Sequence, residues 1–196
     1  MVNLFDTTGQ RKYLNRTERN AFFHSLFNQP REVRTFCMVL YYTGCRISEA
    51  LALTPQRIDF EECTLIFESL KKRQRGIFRS VPVPDSLIDT LDLVHGLREM
   101  TASQKKQRLW NWSRMTAWRK IKAVMAYAGI SGIKATPKGL RHAFGIAANQ
   151  KGIQLNMVQK WLGHADIKTT AIYSQAIGVE ERNLAKRLWE DESVDI

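Results

Sequence analysis

One stretch of β-type sequence interrupts a chain whose apolar residues otherwise follow the period of an α-helix. Short runs rich in β-branched and aromatic residues occupy Ile58 to Phe60, Thr64 to Leu70 and Ile77 to Val83. Their spacing and the polar residues between them predict a three-stranded antiparallel sheet. The turn at 71–76 is strongly cationic, which folding alone does not require, although a solvated charge run is its ordinary explanation.

Helical periodicity lies on both sides of this sheet. Apolar spacing and capping residues predict helices at about 17–27, 31–42, 48–53, 85–99, 113–128, 137–150, 154–162 and 179–190. We therefore predict an α+β fold that is mainly α-helical, with one small sheet. The basic segment from Thr101 to Arg108 has no periodicity, which predicts an exposed connection.

The size and charge of the chain limit the number of domains and the type of partner that we expect. With 196 residues, 44% of them hydrophobic, the chain can bury one substantial core, and we expect a single domain over residues 1–196. The formal net charge is +11. Such an excess indicates a polyanionic partner, with nucleic acid as the first candidate, but charge alone also fits an ordinary basic protein.

The cysteines and the apolar runs bear on location. Cys37, Cys45 and Cys63 are odd in number and outside any CxxC spacing, which favours a cytoplasmic protein with reduced thiols. The longest apolar run, Phe36 to Tyr42, is too short to cross a bilayer, and Met1 to Tyr13 has no signal-type apolar segment. We expect neither export nor membrane insertion.

Three separated motifs carry the functional signal. Tyr42 to Leu51 reads YTGCRISEAL, residues 138–142 read KGLRH, and the third motif is LGH at 162–164, followed by Tyr173. Each motif alone has ordinary structural explanations, but their order, and the nine residues from His164 to Tyr173, argue against coincidence. Together they resemble the phage integrase, or tyrosine recombinase, family from about Thr17 to Gln175.

The resemblance implies an integrase-like catalytic domain in which Arg46 and Arg141 hold the scissile phosphate. Attack on a phosphodiester builds negative charge on the non-bridging oxygens, and guanidinium groups can clamp these oxygens bidentately. Glu49 lies one helical turn from Arg46 and can orient its guanidinium. The alternative is a surface ion pair that contributes little.

Tyr173 is the nucleophile that the resemblance implies, through a 3′-phosphotyrosyl intermediate that requires no ATP, cofactor or metal. His164 would donate to the phosphate or assist proton movement, since an ordinary histidine with a pKa of about 6.5 reaches both protonation states. The leaving 5′-oxygen would take its proton from Lys71 or, as the second choice, Lys72. Lys138 replaces the family's usual histidine, which leaves the acceptor of the Tyr173 proton open.

Double-stranded DNA is the implied partner. The resemblance begins almost at residue 1, so we expect no amino-terminal core-binding domain, as in short recombinases of the fimbrial phase-switching type. A homo-oligomer, the synaptic tetramer, would then assemble on DNA, with an accessory DNA-binding protein as a further candidate partner. The apolar stripe within Val179 to Glu190 would dock on a neighbouring protomer or pack on its own core.

Two rival functions remain open. A type IB topoisomerase-like nicking and closing enzyme would use the same residues without a synaptic complex, and a catalytically idle DNA-binding regulator would keep only the fold. Separately, Trp110, Trp112 and Trp118 lie among basic residues and could stack on nucleic acid, but packing is the commoner outcome. We assign the basic residues, rather than the indoles, to the phosphate backbone.

Overall fold

A computed structural model of the protein describes residues 3–69 and 76–175. Over these residues the chain forms helices and strands in the order α1 (Arg16–Ser25), α2 (Arg31–Thr43), α3 (Ile47–Leu51), β1 (Ile58–Asp59), β2 (Thr64–Glu68), β3 (Phe78–Pro82), α4 (Asp85–His95), α5 (Arg114–Tyr127), α6 (Pro137–Gln150), α7 (Leu155–Leu162) and α8 (Lys168–Ala171). The predicted fold class, mainly helical α+β with a small sheet, is confirmed. The predicted helix at 179–190 lies outside the described residues, as do Lys71 and Lys72.

The three strands pair in sequence order, β1 with β2 and β2 with β3, and both pairs are antiparallel. Leu65 pairs with Val81, and both side chains are buried. The strand β1 is shorter than predicted because the Asp59 carboxylate accepts hydrogen bonds from the backbone amides of Glu61 and Glu62. These bonds form a turn that ends the strand before Phe60.

The predicted helix at 85–99 is wrong in its last four residues. Helix α4 ends at His95 because Gly96 adopts a left-handed conformation with φ of 64°, which a glycine accepts without steric cost. A 3₁₀ turn, Leu97–Glu99, follows. The four-residue helix α8 was not predicted, because so short an element shows no periodicity. The segment from Thr101 to Arg108 is mostly exposed, as predicted.

Helix α2 forms the centre of the main core, as its nearly continuous apolar sequence predicts. Phe36 is fully buried and packs edge-to-face on the Trp110 indole, with ring centroids 5.0 Å apart. The indole N–H of Trp110 donates to the carbonyl of Glu32 at 3.1 Å, so this buried polar group is satisfied. Trp112 also packs on Phe36. For these two tryptophans the packing interpretation is therefore correct.

A smaller hydrophobic cluster lies apart from this core. It joins the amino-terminal segment to helices α6 and α7, and its buried members are Leu4, Tyr13, Phe144, Ile146, Ala148, Val158, Leu162 and Tyr173. The amino-terminal segment folds back on itself, with the Lys12 amide donating to the Leu4 carbonyl at 2.8 Å. Tyr173 is thus held within the apolar packing of its own chain. None of the helices that the structure describes is long and apolar enough to cross a membrane.

Candidate active site

A cleft of about 750 Å³ brings together five of the six residues that the motifs predict. Its lining includes Arg46, Lys138, Arg141, His164 and Tyr173. These residues come from the start of α3, from α6, and from the segments that follow α7 and α8. The sixth, Lys71, lies outside the described residues.

Arg141 is fixed by backbone carbonyls at the ends of two helices. Its buried guanidinium donates to the carbonyl of Gly44, at the end of α2, at 2.8 Å and to that of Leu162, at the end of α7, at 2.7 Å. Carbonyls at helix ends carry partial negative charge, which suits a cation. Burial lowers the pKa of Arg141 to about 10, and the charge of Arg46 acts in the same direction. Arg141 therefore stays charged at neutral pH.

Arg46 is held by a carboxylate instead. Glu49 accepts hydrogen bonds from the Arg46 backbone amide and from its guanidinium, both at 2.8 Å. A second guanidinium, that of Arg79, donates to both oxygens of Glu49, at 2.7 Å and 3.3 Å. The Glu49 side chain is only 1% exposed, so the alternative of a surface ion pair is wrong.

The charges around Glu49 determine its ionisation. Burial by itself would raise the pKa of this carboxyl, but the hydrogen bonds and charges of Arg79 and Arg46 outweigh burial and lower the pKa below its usual value. A carboxylate with two guanidinium partners leaves one net positive charge at this wall of the cleft. That charge can face a phosphate.

Arg79 was missed by the sequence reasoning. It lies on β3 between exposed and half-buried neighbours, two residues before the buried Val81, and so belongs to the inward face of the sheet. An arginine at an inward-facing strand position needs a buried partner, and that was the available signal. Its Nε also donates to the Trp161 carbonyl at 2.8 Å, which ties β3 to α7.

His164 follows the end of α7, where Gly163 is left-handed with φ of 65°. The His164 amide closes the helix by donating to the Gln159 carbonyl at 3.1 Å. Its side chain is free to enter the cleft, where Nδ1 lies 2.9 Å from the hydroxyl of Thr170. The backbone of His164 therefore caps the helix, while its imidazole lines the cleft.

The protonation of His164 differs from expectation. Burial lowers the pKa of His164 to about 3, helped by the charges of Arg141 and Arg46. The expectation that both protonation states are reachable near neutral pH is therefore wrong for this cleft without DNA. The imidazole is neutral, and the hydrogen bond at Nδ1 decides which ring nitrogen can donate into the cleft.

Tyr173 is 1% exposed and lies beside the other site residues of its own chain. Its ring stacks on the His164 ring at 26°, with centroids 6.2 Å apart. Its hydroxyl lies 3.3 Å from Nδ1 of His142, a residue that sequence reasoning quoted within the KGLRH motif but assigned no role. Burial raises the pKa of Tyr173 to about 12, against the charges of Arg141 and Arg46.

Lys138 is exposed at the mouth of the cleft, at the start of α6 and one turn before Arg141. The Thr136 hydroxyl caps this helix by accepting from the Gly139 amide at 3.0 Å. Lys12 and Arg114 extend the cationic lining towards the rim, where Trp118 is 40% exposed. Within residues 3–69 and 76–175 no group of three or more His, Cys, Asp or Glu side chains is placed to hold a metal ion.

Comparisons with known proteins identify the family and the relatives of this chain. The profile of the Phage integrase family matches residues 12–177. The tyrosine recombinase XerA of Pyrococcus furiosus is 31% identical over 168 residues, a match that covers 79% of this chain and 56% of XerA. This chain thus spans little more than half the length of that relative.

Solved structures share the fold. A crystal structure of XerA recombinase has a TM-score of 0.73 at 22% identity, and the match covers 100% of this chain and 68% of that one. The XerH site-specific recombinase, bound to its difH substrate in a pre-cleavage complex, has a TM-score of 0.72 at 22% identity, with 91% and 58% covered.

Proposed function

The chain belongs to the phage integrase family, and we propose that it is a site-specific DNA recombinase that cleaves and rejoins double-stranded DNA through a 3′-phosphotyrosyl intermediate. The observation that carries the proposal is the convergence of two arginines, His164 and Tyr173 on one cationic cleft. In this proposal residues 1–196 act as a single catalytic domain.

The scissile phosphate would lie between Arg46 and Arg141. Both guanidinium groups line the cleft and each is already fixed by other partners, so neither has to reorganise when charge develops on the phosphate. His164 would add a third donor. If the Thr170 hydroxyl donates to Nδ1, the proton of the neutral imidazole is on Nε2, which can donate to a phosphate oxygen.

Tyr173 would then attack phosphorus. As its phenolic oxygen bonds to phosphorus, the phenol gives up its proton to a base or to solvent and the bond to the 5′-oxygen of DNA breaks. One phosphoester thus replaces another and no ATP is consumed. The leaving 5′-oxygen takes a proton from Lys71 or Lys72. Attack by the freed 5′-hydroxyl of a second strand reverses the step and releases Tyr173.

Lys138 would contribute an ammonium at the cleft mouth, where it can donate to DNA. We propose that the working assembly is a synaptic homotetramer on DNA, located in the cytoplasm, and that an accessory DNA-binding protein can assist it. The DNA-bound state of XerH supports DNA as the partner.

The alternatives predict different products. A type IB topoisomerase-like enzyme would nick and close a single duplex without exchanging strands between two sites. A DNA-binding regulator would bind without cleavage, yet Arg46, Arg141, His164 and Tyr173 lie in one cleft, which a binding module does not require.

Covalent trapping tests the proposal. The substrate is a pool of nicked duplexes with a randomised core sequence. Cleavage near the nick releases a short strand that carries the 5′-hydroxyl. Without this hydroxyl the DNA cannot be rejoined, so the protein stays attached to it. We expect an adduct that survives SDS and disappears on proteolysis with the unaltered protein and with Tyr127→Phe, an exposed tyrosine control. An equal yield of adduct from Tyr173→Phe would show that Tyr173 is not the nucleophile. DNA sites recovered from the adducts are then tested in pairs: strand exchange between two sites indicates a recombinase, and its absence indicates a topoisomerase-like enzyme.

A further inference from the structure

Helix α6 presents three residues to Tyr173 along one face. His142, Gly145 and Asn149 are spaced i, i+3 and i+7, which places them on adjacent turns of the same side. We infer that these three residues form a cradle that positions the nucleophile, in which His142 is the hydrogen-bond partner that fixes the Tyr173 hydroxyl. The inference rests on the proposed role of Tyr173.

The His142 side chain has little other purpose in the structure. It is 4% exposed, its Nδ1 lies 3.3 Å from the Tyr173 hydroxyl, and its Nε2 has no hydrogen-bond partner among the described residues. A buried polar ring with an unsatisfied nitrogen costs stability relative to an apolar side chain. The hydrogen bond to Tyr173 gives this costly residue a function.

The groups around His142 keep its ring neutral. Burial lowers the pKa of His142 to about 4, and the nearby cations Lys138, Arg141 and Lys12 lower the pKa further. A neutral imidazole can share one hydrogen bond with a neutral phenol without placing a further cation beside Arg141. The oxygen of Tyr173 is thus held in the cleft before DNA arrives.

Gly145 provides space for the aromatic ring. A Cβ atom built on Gly145 would lie 2.4 Å from Cε2 and 2.6 Å from both Cδ2 and Cζ of Tyr173. Contacts this short require the ring to move, so any side chain at this position displaces the nucleophile. Glycine in the middle of a helix lowers helix stability relative to alanine. The close approach of Tyr173 accounts for its presence here.

Asn149 holds the backbone of the same residue. Its amide Nδ2 donates to the Tyr173 carbonyl at 3.4 Å, one turn beyond Gly145. The cradle therefore contacts the hydroxyl, the ring and the main chain of Tyr173. Fixing a reacting atom in this way matters because a displacement of about 1 Å can reduce a rate by about 10²-fold.

The first experiment compares two substitutions of His142 in single-turnover cleavage of the nicked duplex. His142→Leu removes the hydrogen bond and should reduce adduct formation by about 10²-fold, while the Kd for DNA is unchanged. His142→Asn places an amide near the position of Nδ1 and should retain cleavage within a few-fold. Normal cleavage by His142→Leu, or an equal loss in both variants, would overturn the role of the hydrogen bond.

The second experiment does not depend on activity and remains informative if a His142 variant fails to fold. Gly145→Ala is made in the unaltered protein and in Tyr173→Ala, and Tm is measured for all four proteins. If the Tyr173 ring occupies the space, Gly145→Ala lowers Tm in the first background and raises or preserves it in the second. The same decrease in both backgrounds would overturn the cradle.

The two proposals fail in different ways. If Tyr173→Phe still forms the adduct, the proposed function is wrong, but the Tm comparison of the four proteins is unaffected. If Gly145→Ala lowers Tm equally with and without the Tyr173 ring, the cradle is wrong, while Tyr173 still forms the covalent adduct.

Discussion

Arg46, which lines the cleft, shares the buried carboxylate of Glu49 with Arg79, whereas Arg141, which also lines the cleft, is held by uncharged backbone carbonyls. We call the first group the carboxylate wall. The helix-end wall comprises Arg141, together with the neutral His142 and His164 rings and Tyr173. The carboxylate wall thus fixes its cations mainly by opposite charge, while the helix-end wall fixes its cation by helix-end dipoles and keeps its titratable groups neutral by burial.

This contrast has a consequence for the reaction. The helix-end wall has no carboxylate partner for Arg141 among the hydrogen bonds of the described residues, so its charge is available to an entering phosphate. On the carboxylate wall, Glu49 offsets one of two positive charges. We therefore expect substitutions in the helix-end wall to cause the larger loss of cleavage rate. Substitutions in the carboxylate wall should cause the larger loss in the free energy of unfolding.

Arg141→Ala should show the largest effect. It removes the cation that has no hydrogen-bonded carboxylate partner among the described residues. We expect cleavage to fall by about 10²–10³-fold, the usual cost of losing one transition-state donor. The cleavage rate of Arg46→Ala should fall by less. Single-turnover adduct formation measures both, with Arg31→Ala, an exposed arginine at the start of α2, as the control. A greater loss in Arg46→Ala would reverse the assignment of the two walls.

Glu49→Gln tests the carboxylate wall. It leaves the buried Arg79 without its counter-charge, and breaking a buried ion pair in this way costs about 3 kcal/mol or more in the free energy of unfolding. Urea denaturation measures the loss. The matched control is Glu18→Gln, since Glu18 pairs with Arg11 and Lys134 but is 20% exposed, and should lose about 1 kcal/mol or less. Equal losses would show that burial of Glu49 contributes nothing.

The pH dependence of stability distinguishes the walls further. The pKa values of His142 and His164 are lowered to about 4 and about 3 in the folded protein, so the unfolded chain binds protons first as the pH falls below about 6.5. Their contribution to stability is fully present above about pH 6.5 and is lost as the pH falls from 6.5 towards the folded-state pKa values of about 4 and about 3. Glu49, whose pKa is also lowered, loses its contribution at a lower pH, below its ordinary carboxyl range.

Between pH 7 and pH 5 the free energy of unfolding should therefore fall by about 2 kcal/mol from His142, and by less from the more exposed His164. Urea denaturation at both pH values measures this fall. Replacing both histidines by asparagine should flatten the dependence. An unchanged slope in that double variant would contradict the neutral, buried state of the two rings.

Lys138→His should show the smallest effect. Lys138 is exposed at the cleft mouth, so a histidine there stays hydrated and titrates near its ordinary pKa of about 6.5, in contrast to the buried rings. We expect cleavage within a few-fold, a pH optimum moved towards neutrality, and an unchanged Tm. A folded but inactive variant would show that this position requires the ammonium itself.

Much of the fold could be predicted because its signals are local. The alternation of β2 and β3 and the apolar sequence of α2 appear within single segments. The predictions failed where a local interaction ended an element early, as Gly96 ended α4 and the Asp59 turn ended β1. Five predicted residues of the site lie in one cleft, as the resemblance implied, because their types and spacing follow the reaction.

Local periodicity and motif spacing were enough to predict the mainly helical class, the antiparallel sheet and the candidate site residues Arg46, Arg141, His164 and Tyr173. Folding was needed to show that Arg79 shares Glu49, 30 residues away, and that His142 contacts Tyr173, 31 residues away. Folding also makes the rings of His142 and His164 neutral. The physical reason is that periodicity depends on neighbours in sequence, whereas desolvation and ion pairing depend on distant segments that meet only after folding.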